Sequence, residues 1–434
     1  MAQEQPVKKN RYCWVIFIIA CLAGLCGVGL ITNTYGMFMG PIAEDLGVAK
    51  SSVSLLMTIA SWSTVAFYFL GGKAFAKWGV RRVSTIAGFI LAAGLLLYSL
   101  STQLWHFYLV AVLCGGTSAF AALNVVPILI NNWFVKHRAL VLGIAMMMTG
   151  LGGAIYNPLF ANIITNEGWR MGYRVAACIA LLFPIIGGIF MRTKPADIGL
   201  LPFGFEDSEE MKDLKGQVHI KEFPGIPKKY AYKSPALWLA FITIMFTGFS
   251  SGFNQHWVNC GVTYGYTLVQ ASFIATAALI SAAIFKVVGG FLNDSKLGPR
   301  NTHIIFCLAG IVAMVMMMAH HNSTNHSLMM IAVCSVIYGM NLSLMTMQGP
   351  VIIRNIFGMR DYGVIYPIVN MGMSIGTGLT YSLNAVLLEA VGSYMGSYVF
   401  NSVVIAVSLV MCIATFAAGK KAKEKFWRAV GDAL

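Results

Sequence analysis

Asn124-Val125-Val126-Pro127-Ile128-Leu129-Ile130-Asn131-Asn132-Trp133-Phe134 returns 223 residues later as Met347-Gln348-Gly349-Pro350-Val351-Ile352-Ile353-Arg354-Asn355-Ile356-Phe357. The proline, an asparagine and the closing phenylalanine keep their places. The same spacing sets Gly153 opposite Gly376, and a nearly equal one sets Gly71-Gly72 opposite Gly289-Gly290. Each match alone is weak, but their common order at near-constant spacing indicates an internal duplication. Two weakly similar apolar halves are the pattern of a carrier built from structural repeats.

Composition around the repeat points to lipid as the solvent. Of 434 residues, 58% are hydrophobic and 11% charged, with a mean hydropathy of +0.72; soluble domains are about a quarter charged. A membrane helix needs about 20 apolar residues. Twelve runs qualify: 12–38, 51–75, 83–101, 105–133, 139–164, 172–192, 235–262, 267–292, 301–320, 326–353, 362–389 and 393–419. The expected fold is an all-α membrane protein with twelve transmembrane helices in two pseudo-symmetric six-helix bundles. Residues 1–192 form the first half and 235–434 the second, with a short basic tail. The hydrophilic stretch 193–234, rich in Lys, Glu, Pro and Gly, reads as a cytoplasmic linker. Span 1 is expected to close at Gly40-Pro41. It follows Lys8, Lys9 and Arg11, but it is too long for a signal peptide and lacks a small-residue cleavage site, so it reads as an uncleaved span. Nine cysteines stand singly in or beside apolar runs without a C-x-x-C; they read as small buried apolar side chains.

The net charge of +14 is distributed by topology. Of the 30 Lys and Arg, 26 fall in or beside segments on one face; Lys50, Arg170 and Arg174 fall on the other, and Lys286 stands inside span 8. By the positive-inside rule both termini are cytoplasmic in a multi-pass protein of the cell membrane, an inner membrane in a bacterium. An anionic leaflet then accounts for the basic pI, without nucleic acid.

The loop after span 2, Gly72-Lys73-Ala74-Phe75-Ala76-Lys77-Trp78-Gly79-Val80-Arg81-Arg82, resembles the G-x-x-x-D-R-x-G-R-R signature of the major facilitator superfamily, with Ala76 in place of its aspartate. The second-half counterpart runs from Gly290 through Asp294 to Gly298 and Arg300, keeping the acid. The resemblance implies that these loops, and within them Gly72, Gly79, Arg81, Arg82, Gly290 and Asp294, latch the two halves together during gating. Within the superfamily, Tyr35 to Gly47 and the placement of Lys286 four residues before Gly290 are similar to the oxalate/formate antiporter and monocarboxylate porter branch. There, a span 8 cation binds the substrate carboxylate. Two departures bear on substrate. Span 11 has no second cation, which favours one carboxylate, and Ala282 stands where proton-coupled porters often carry an aspartate.

Lys286 is the only Lys, Arg, Asp or Glu well inside a predicted span. An ammonium there costs at least ~3 kcal/mol on insertion scales, so it either faces a cavity or reaches out to water or to Asp294. Other expected substrate-binding residues are Asn33, Tyr35, Asn124, Tyr156, His256, Gln348, Tyr366 and Asn370, each of which can equally serve as interhelical glue. His256 follows Gly252-Phe253-Asn254-Gln255, a sequence that suggests local unwinding. Arg170 and Arg174 read as outer anchors. His320, His321 and His326 lack nearby Cys or acid, so no metal is expected.

No nucleotide-binding, zinc-protease or serine-hydrolase motif appears, so neither an enzyme nor a cofactor is expected. The expected function is alternating-access exchange of a small organic anion, a monocarboxylate first, by a monomer. The alternatives are proton-coupled monocarboxylate symport, with His256 as the coupling group, and a transporter-like membrane sensor.

Overall fold

The computed structural model describes residues 11–118, 120–121, 125–134, 138–204, 225–323, 327–358 and 361–431. Every predicted span is occupied by helix. Span 1 comprises Tyr12–Gly24, a π-turn Leu25–Gly29 and Tyr35–Leu46; span 2 is Lys50–Trp78; span 3 is Val80–Leu100; span 4 comprises Leu104–Ser118 and Val125–Trp133. Span 5 is Arg138–Glu167 and span 6 comprises Trp169–Ala180 and Leu182–Phe190. Span 7 comprises Pro235–Ser251, a 3₁₀ turn Gly252–His256 and Trp257–Thr263. Spans 8 to 11 are Leu268–Asp294, Gly298–His321, Leu328–Phe357 and Tyr362–Val391, and span 12 is Met395–Gly431. Among the described residues nine helices are long and apolar enough to cross a bilayer, beside the shorter apolar helix Leu104–Ser118. The fold is all-α, its helices gathered into two bundles.

Two boundaries differ from the sequence reading. Span 1 does not close at Gly40-Pro41 but continues through Pro41 to Leu46. Its stop is Gly47 at φ 63°, where the Gly47 and Val48 N–H groups turn back to Glu44 O and Ala43 O; a left-handed residue ends the helix where a proline did not. Span 12 is a 37-residue helix, about 55 Å long against a hydrocarbon core of about 30 Å, so its basic end projects well beyond the bilayer. That end is tied down by Phe426, whose ring lies 5.9 Å from Tyr230.

The duplication has a geometric signature. The Gln255 side-chain amide donates to Thr32 O, and Asn259 Nδ2 donates to Gly36 O at 3.3 Å, both across 223 residues. Equivalent positions of two repeats can touch only on the axis that relates them, so spans 1 and 7 meet on a pseudo-two-fold axis. Both spans are broken there. The matched glycines do the same work: a Cβ at Gly153 would stand 2.6 Å from Asn33 Cβ, and one at Gly376 would stand 2.8 Å from Phe249 N. Membrane helices cross this closely only where side chains are absent.

For orientation, the face holding Trp14, Phe203, Tyr230 and Phe426 is termed the terminal face, and the opposite one the distal face. Cross-bundle hydrogen bonds among the described residues lie mostly toward the distal face. Thr58 Oγ1 reaches Gly378 O at 2.5 Å and Ser382 Oγ at 2.8 Å, and Ser51 N donates to Glu389 at 2.9 Å. Span 8 lies against span 5 through Thr276 to Ala154 O at 3.4 Å, then through Leu279 and Ala283 against Gly150.

Candidate functional site

Span 8 is launched by a capping box: Gln270 N–H donates to Thr267 Oγ1 at 3.2 Å while Thr267 N–H donates to Gln270 Oε1 at 3.1 Å. About five turns on, the helix presents Lys286 to span 5. Lys286 Nζ donates to Thr149 Oγ1 at 2.9 Å and is 9% exposed. Among the described residues it is the only buried Lys, Arg, Asp or Glu. It neither snorkels nor reaches Asp294, whose carboxylate pairs with Arg354 at 3.3 Å. The approach depends on Gly150, where a Cβ would stand 2.9 Å from Leu279 O.

Thr149 is the junction that sequence reading missed. Its hydroxyl donates to Met146 O at 2.7 Å and accepts from Lys286, while its carbonyl accepts from Asn33 Nδ2 at 2.8 Å. Spans 1, 5 and 8 therefore converge on one residue. The available signal was its setting, Thr149-Gly150-Leu151-Gly152-Gly153, a hydroxyl beside glycines that admit close neighbours. A threonine hydroxyl balances no charge. Among the described residues no carboxylate is buried near it, and four are engaged elsewhere: Asp45 with Arg170, Asp294 with Arg354, Asp361 with Lys228 N, and Glu389 with Ser51 N.

Beside this junction lies a cavity reaching from spans 1 and 2 into the first bundle and closed by spans 10 and 11. Its wall includes Thr32, Thr34 and Tyr35, the neighbours of Asn33 in the break of span 1. Among the described residues its lining includes no Lys, Arg, His, Asp or Glu. Tyr35, whose OH donates to Val53 O at 2.6 Å, is the one expected site residue on this wall; Lys286 stands behind Asn33 and Thr149.

The 3₁₀ turn at Gly252–His256 is the local unwinding expected in span 7. His256 is 1% exposed, with Nε2 at 3.1 Å from Tyr381 O and Nδ1 without a partner. Its neighbour Gln255 crosses the axis twice, donating to Thr32 O and accepting from Gly36 N–H at 3.1 Å. Other expected residues lie farther off. Gln348 donates to Pro299 O at 2.8 Å within the second bundle. Tyr156 is buried with its ring 6.1 Å from Phe160. Tyr366 lies against Gly349 of span 10, and Asn370 is buried in span 11. Asn124 and His326 fall outside the described residues.

The loop signature resolves into turns and caps. Gly79 and Gly298, at φ 79° and 72°, reverse the chain between spans 2 and 3 and between spans 8 and 9. Arg81 donates to Gly188 O and Ile189 O, capping span 6 of its own bundle. Arg82 is exposed, Gly72 lies within the span 2 helix, and Gly290 has open space where a Cβ would go. In this conformation neither Arg81 nor Asp294 reaches across the bundles. Arg170 pairs with Asp45 at 2.9 Å and lies over Trp169, the anchoring arrangement.

Known proteins place the chain. A protein named Monocarboxylate transporter 13 from Rattus norvegicus is 24% identical over 393 residues, covering 89% of this chain and 85% of its own. An MFS transporter, asaE, from Aspergillus flavus is 21% identical over 409 residues, covering 93% and 86%. A protein named Hexuronate transporter from Bacillus subtilis is 23% identical over 266 residues, 58% of either chain. The sequence profile of the Major Facilitator Superfamily matches residues 20–319 and 258–431. With that match spanning nearly its whole length, this multi-pass membrane protein belongs to the Major Facilitator Superfamily of transporters.

Proposed function

We propose that the chain is a secondary carrier exchanging small organic anions, monocarboxylates first, by alternating access. Lys286 is the countercharge, and Asn33 and Tyr35 shape its approach. The observation that carries the reading is a buried ammonium whose hydrogen-bond partner is a neutral hydroxyl. An ion in a low-dielectric interior without an opposite charge is held at several kcal/mol of desolvation cost, and a carboxylate restores the balance. The names of two relatives support a single acid group, since a monocarboxylate and a hexuronate share one carboxylate on different bodies.

The charge asymmetry supports placing the terminal face in the cytoplasm. The Lys286–Thr149 bond lies nearer the terminal face than the hydroxyl contacts of spans 2 and 11. An entering carboxylate takes Nζ from Thr149 and relieves the uncompensated charge. An empty carrier must carry that charge through the occluded state, which biases the cycle toward exchange.

The test is uptake into proteoliposomes preloaded with an anion, with and without a pH gradient. Stimulation by internal anion independent of the gradient is expected; uptake that collapses with the gradient overturns exchange. A second reading, proton symport, is favoured by the unpartnered Nδ1 of buried His256 in the span 7 turn. It predicts that His256→Asn abolishes gradient-driven uptake and leaves anion–anion exchange.

A further inference from the structure

We infer that Gln255 is a positioning residue of the transport cycle: it holds the break in span 1 open by standing in for one hydrogen bond of that helix, and the break closes when the bundles part at this contact. This goes beyond the proposed function and rests on its alternating-access part, not on the substrate or on Lys286. In an uninterrupted α-helix Gly36 N–H bonds to Thr32 O, four residues back. Here both groups bond to one side chain of the other bundle. Gly36 N–H donates to Gln255 Oε1 at 3.1 Å, and the Gln255 amide donates to Thr32 O. A primary amide suits this place, because it carries both an acceptor and a donor and so replaces both partners of the bond it interrupts.

The approach is made backbone to backbone. A Cβ at Gly36 would stand 2.4 Å from Gln255 O, so span 7 reaches this turn only because span 1 has no side chain there. Asn259 crosses the same axis, its Nδ2 donating to Gly36 O at 3.3 Å. That bond replaces no helical one, since the carbonyl lies within the helix Tyr35–Leu46 and has a second lone pair. Within the break Met37 N–H turns to Thr34 O at 3.0 Å, and the N–H groups of Thr34 and Tyr35 meet no acceptor at hydrogen-bonding geometry among the described residues. Both residues line the cavity.

Withdrawing span 7 takes Gln255 from Gly36 N–H and Thr32 O together. A spanning helix does not leave backbone groups unpaired in the membrane, and these two pair with each other. The same closure brings the N–H groups of Thr34 and Tyr35 to Leu30 O and Ile31 O, their acceptors in a continuous helix. The backbone of span 1 is thus satisfied with the bundles together and apart, and the contact breaks without orphaned groups. Asn33, inside the break and bonded to Thr149 O at 2.8 Å, moves with it, so a contact on the axis sets how span 1 grips span 5.

The experiment is hydrogen–deuterium exchange of the segment Thr32–Phe38 in the purified carrier. Gln255→Met keeps the size of the side chain and deletes both bonds. It is expected to slow exchange of the Thr34 and Tyr35 amides about tenfold, the protection that one net backbone hydrogen bond confers. Asn259→Leu deletes the other cross-bundle bond and is expected to give no slowing. A side chain that only packs would speed exchange when lost, so the sign separates the two roles; unchanged or faster exchange in Gln255→Met overturns the inference. A second measurement keeps Gln255 and joins Thr58→Cys to Ser382→Cys, at positions whose hydroxyls lie 2.8 Å apart. Oxidation is expected to hold the segment in its fast-exchanging form and reduction to slow it. Slowing on reduction without slowing in Gln255→Met leaves alternating access standing and overturns the role of Gln255. Equal exchange in the oxidised and reduced carrier overturns parting of the bundles at this contact, and the coupling with it.

Discussion

Thr149→Val removes one hydroxyl and nearly nothing else, which makes it the sharpest probe of the Lys286 site. Valine keeps the shape, and Asn33 bonds to the Thr149 carbonyl, so the span 1 contact survives. What disappears is the acceptor 2.9 Å from Lys286 Nζ. A hydrogen bond to a charged group is worth about 1.5–3 kcal/mol. With Lys286 slightly exposed at 9%, some water reaches the ammonium and the lower end applies. That loss falls on the empty carrier alone, because a bound carboxylate has already displaced the threonine. The apparent affinity for the acid is therefore expected to improve, by about tenfold for roughly 1.4 kcal/mol, although the substitution deletes a polar group from the site. Binding is measured on purified carrier by calorimetry or ligand-induced thermal shift, with Lys286→Gln as the reference that loses the response. Unchanged or weaker binding by Thr149→Val refutes the competition. Lys286 would then keep its threonine bond throughout the cycle, using its other N–H donors for substrate.

Four further outcomes follow from packing and surface charge. Gly376→Ala forces a Cβ into the span 7 backbone and is expected to cost about 1–3 kcal/mol, read as a lower melting temperature in detergent. Gly290→Ala meets open space and is expected to melt as the parent does. Thr58→Val deletes the bonds to Gly378 O and Ser382. At about 0.6 kcal/mol per membrane hydrogen bond it is expected to loosen the distal seal by about 1 kcal/mol, raising the labelling rate of a cysteine placed at Ser61 several-fold. Arg170→Ala breaks a half-exposed ion pair and is expected to change stability by under about 1 kcal/mol, measured by the same melting assay.

The fold was legible because its determinants are written locally. Apolar run length gives the spans, and the 223-residue spacing that aligns Pro127 with Pro350 reappears as physical contact between Thr32 and Gln255 and between Gly36 and Asn259. Helix ends were less legible: Pro41 looked like a stop, yet Gly47 is the stop, because a helix tolerates a proline where neighbouring groups re-satisfy the backbone. Lys286 announced itself by the absence of any other charge well inside the spans. Thr149 did not, since one threonine among many buried Ser and Thr acquires its meaning from the helix that crosses it. The break in span 1 was equally silent. Its π-turn reflects the close approach to span 5, where a Cβ at Gly29 would stand 3.0 Å from Gly152 Cα.

The placement of charge within the repeat bears on how a symmetric scaffold becomes specific. Spans 2 and 11 are the repeat partners of spans 8 and 5. At the spacing that aligns Gly71-Gly72 with Gly289-Gly290, Lys286 corresponds to Tyr68; at the 223 spacing, Thr149 corresponds to Gly372. One crossing thus joins an ammonium to a hydroxyl, and its counterpart has a phenol and a glycine at the matching positions. Near the distal face the span 2–11 crossing is held by neutral contacts of Thr58 with Gly378 and Ser382. In the proposed cycle, rocking of one bundle against the other needs both crossings to slide, and symmetry supplies that. The proposed recognition of an anion needs charge at one of them alone, because a second cation would demand a second carboxylate. Introducing a lysine at Tyr68 is the corresponding test: it is expected to shift preference from mono- toward dicarboxylates, and an unshifted preference would show that the two crossings do not face one ligand.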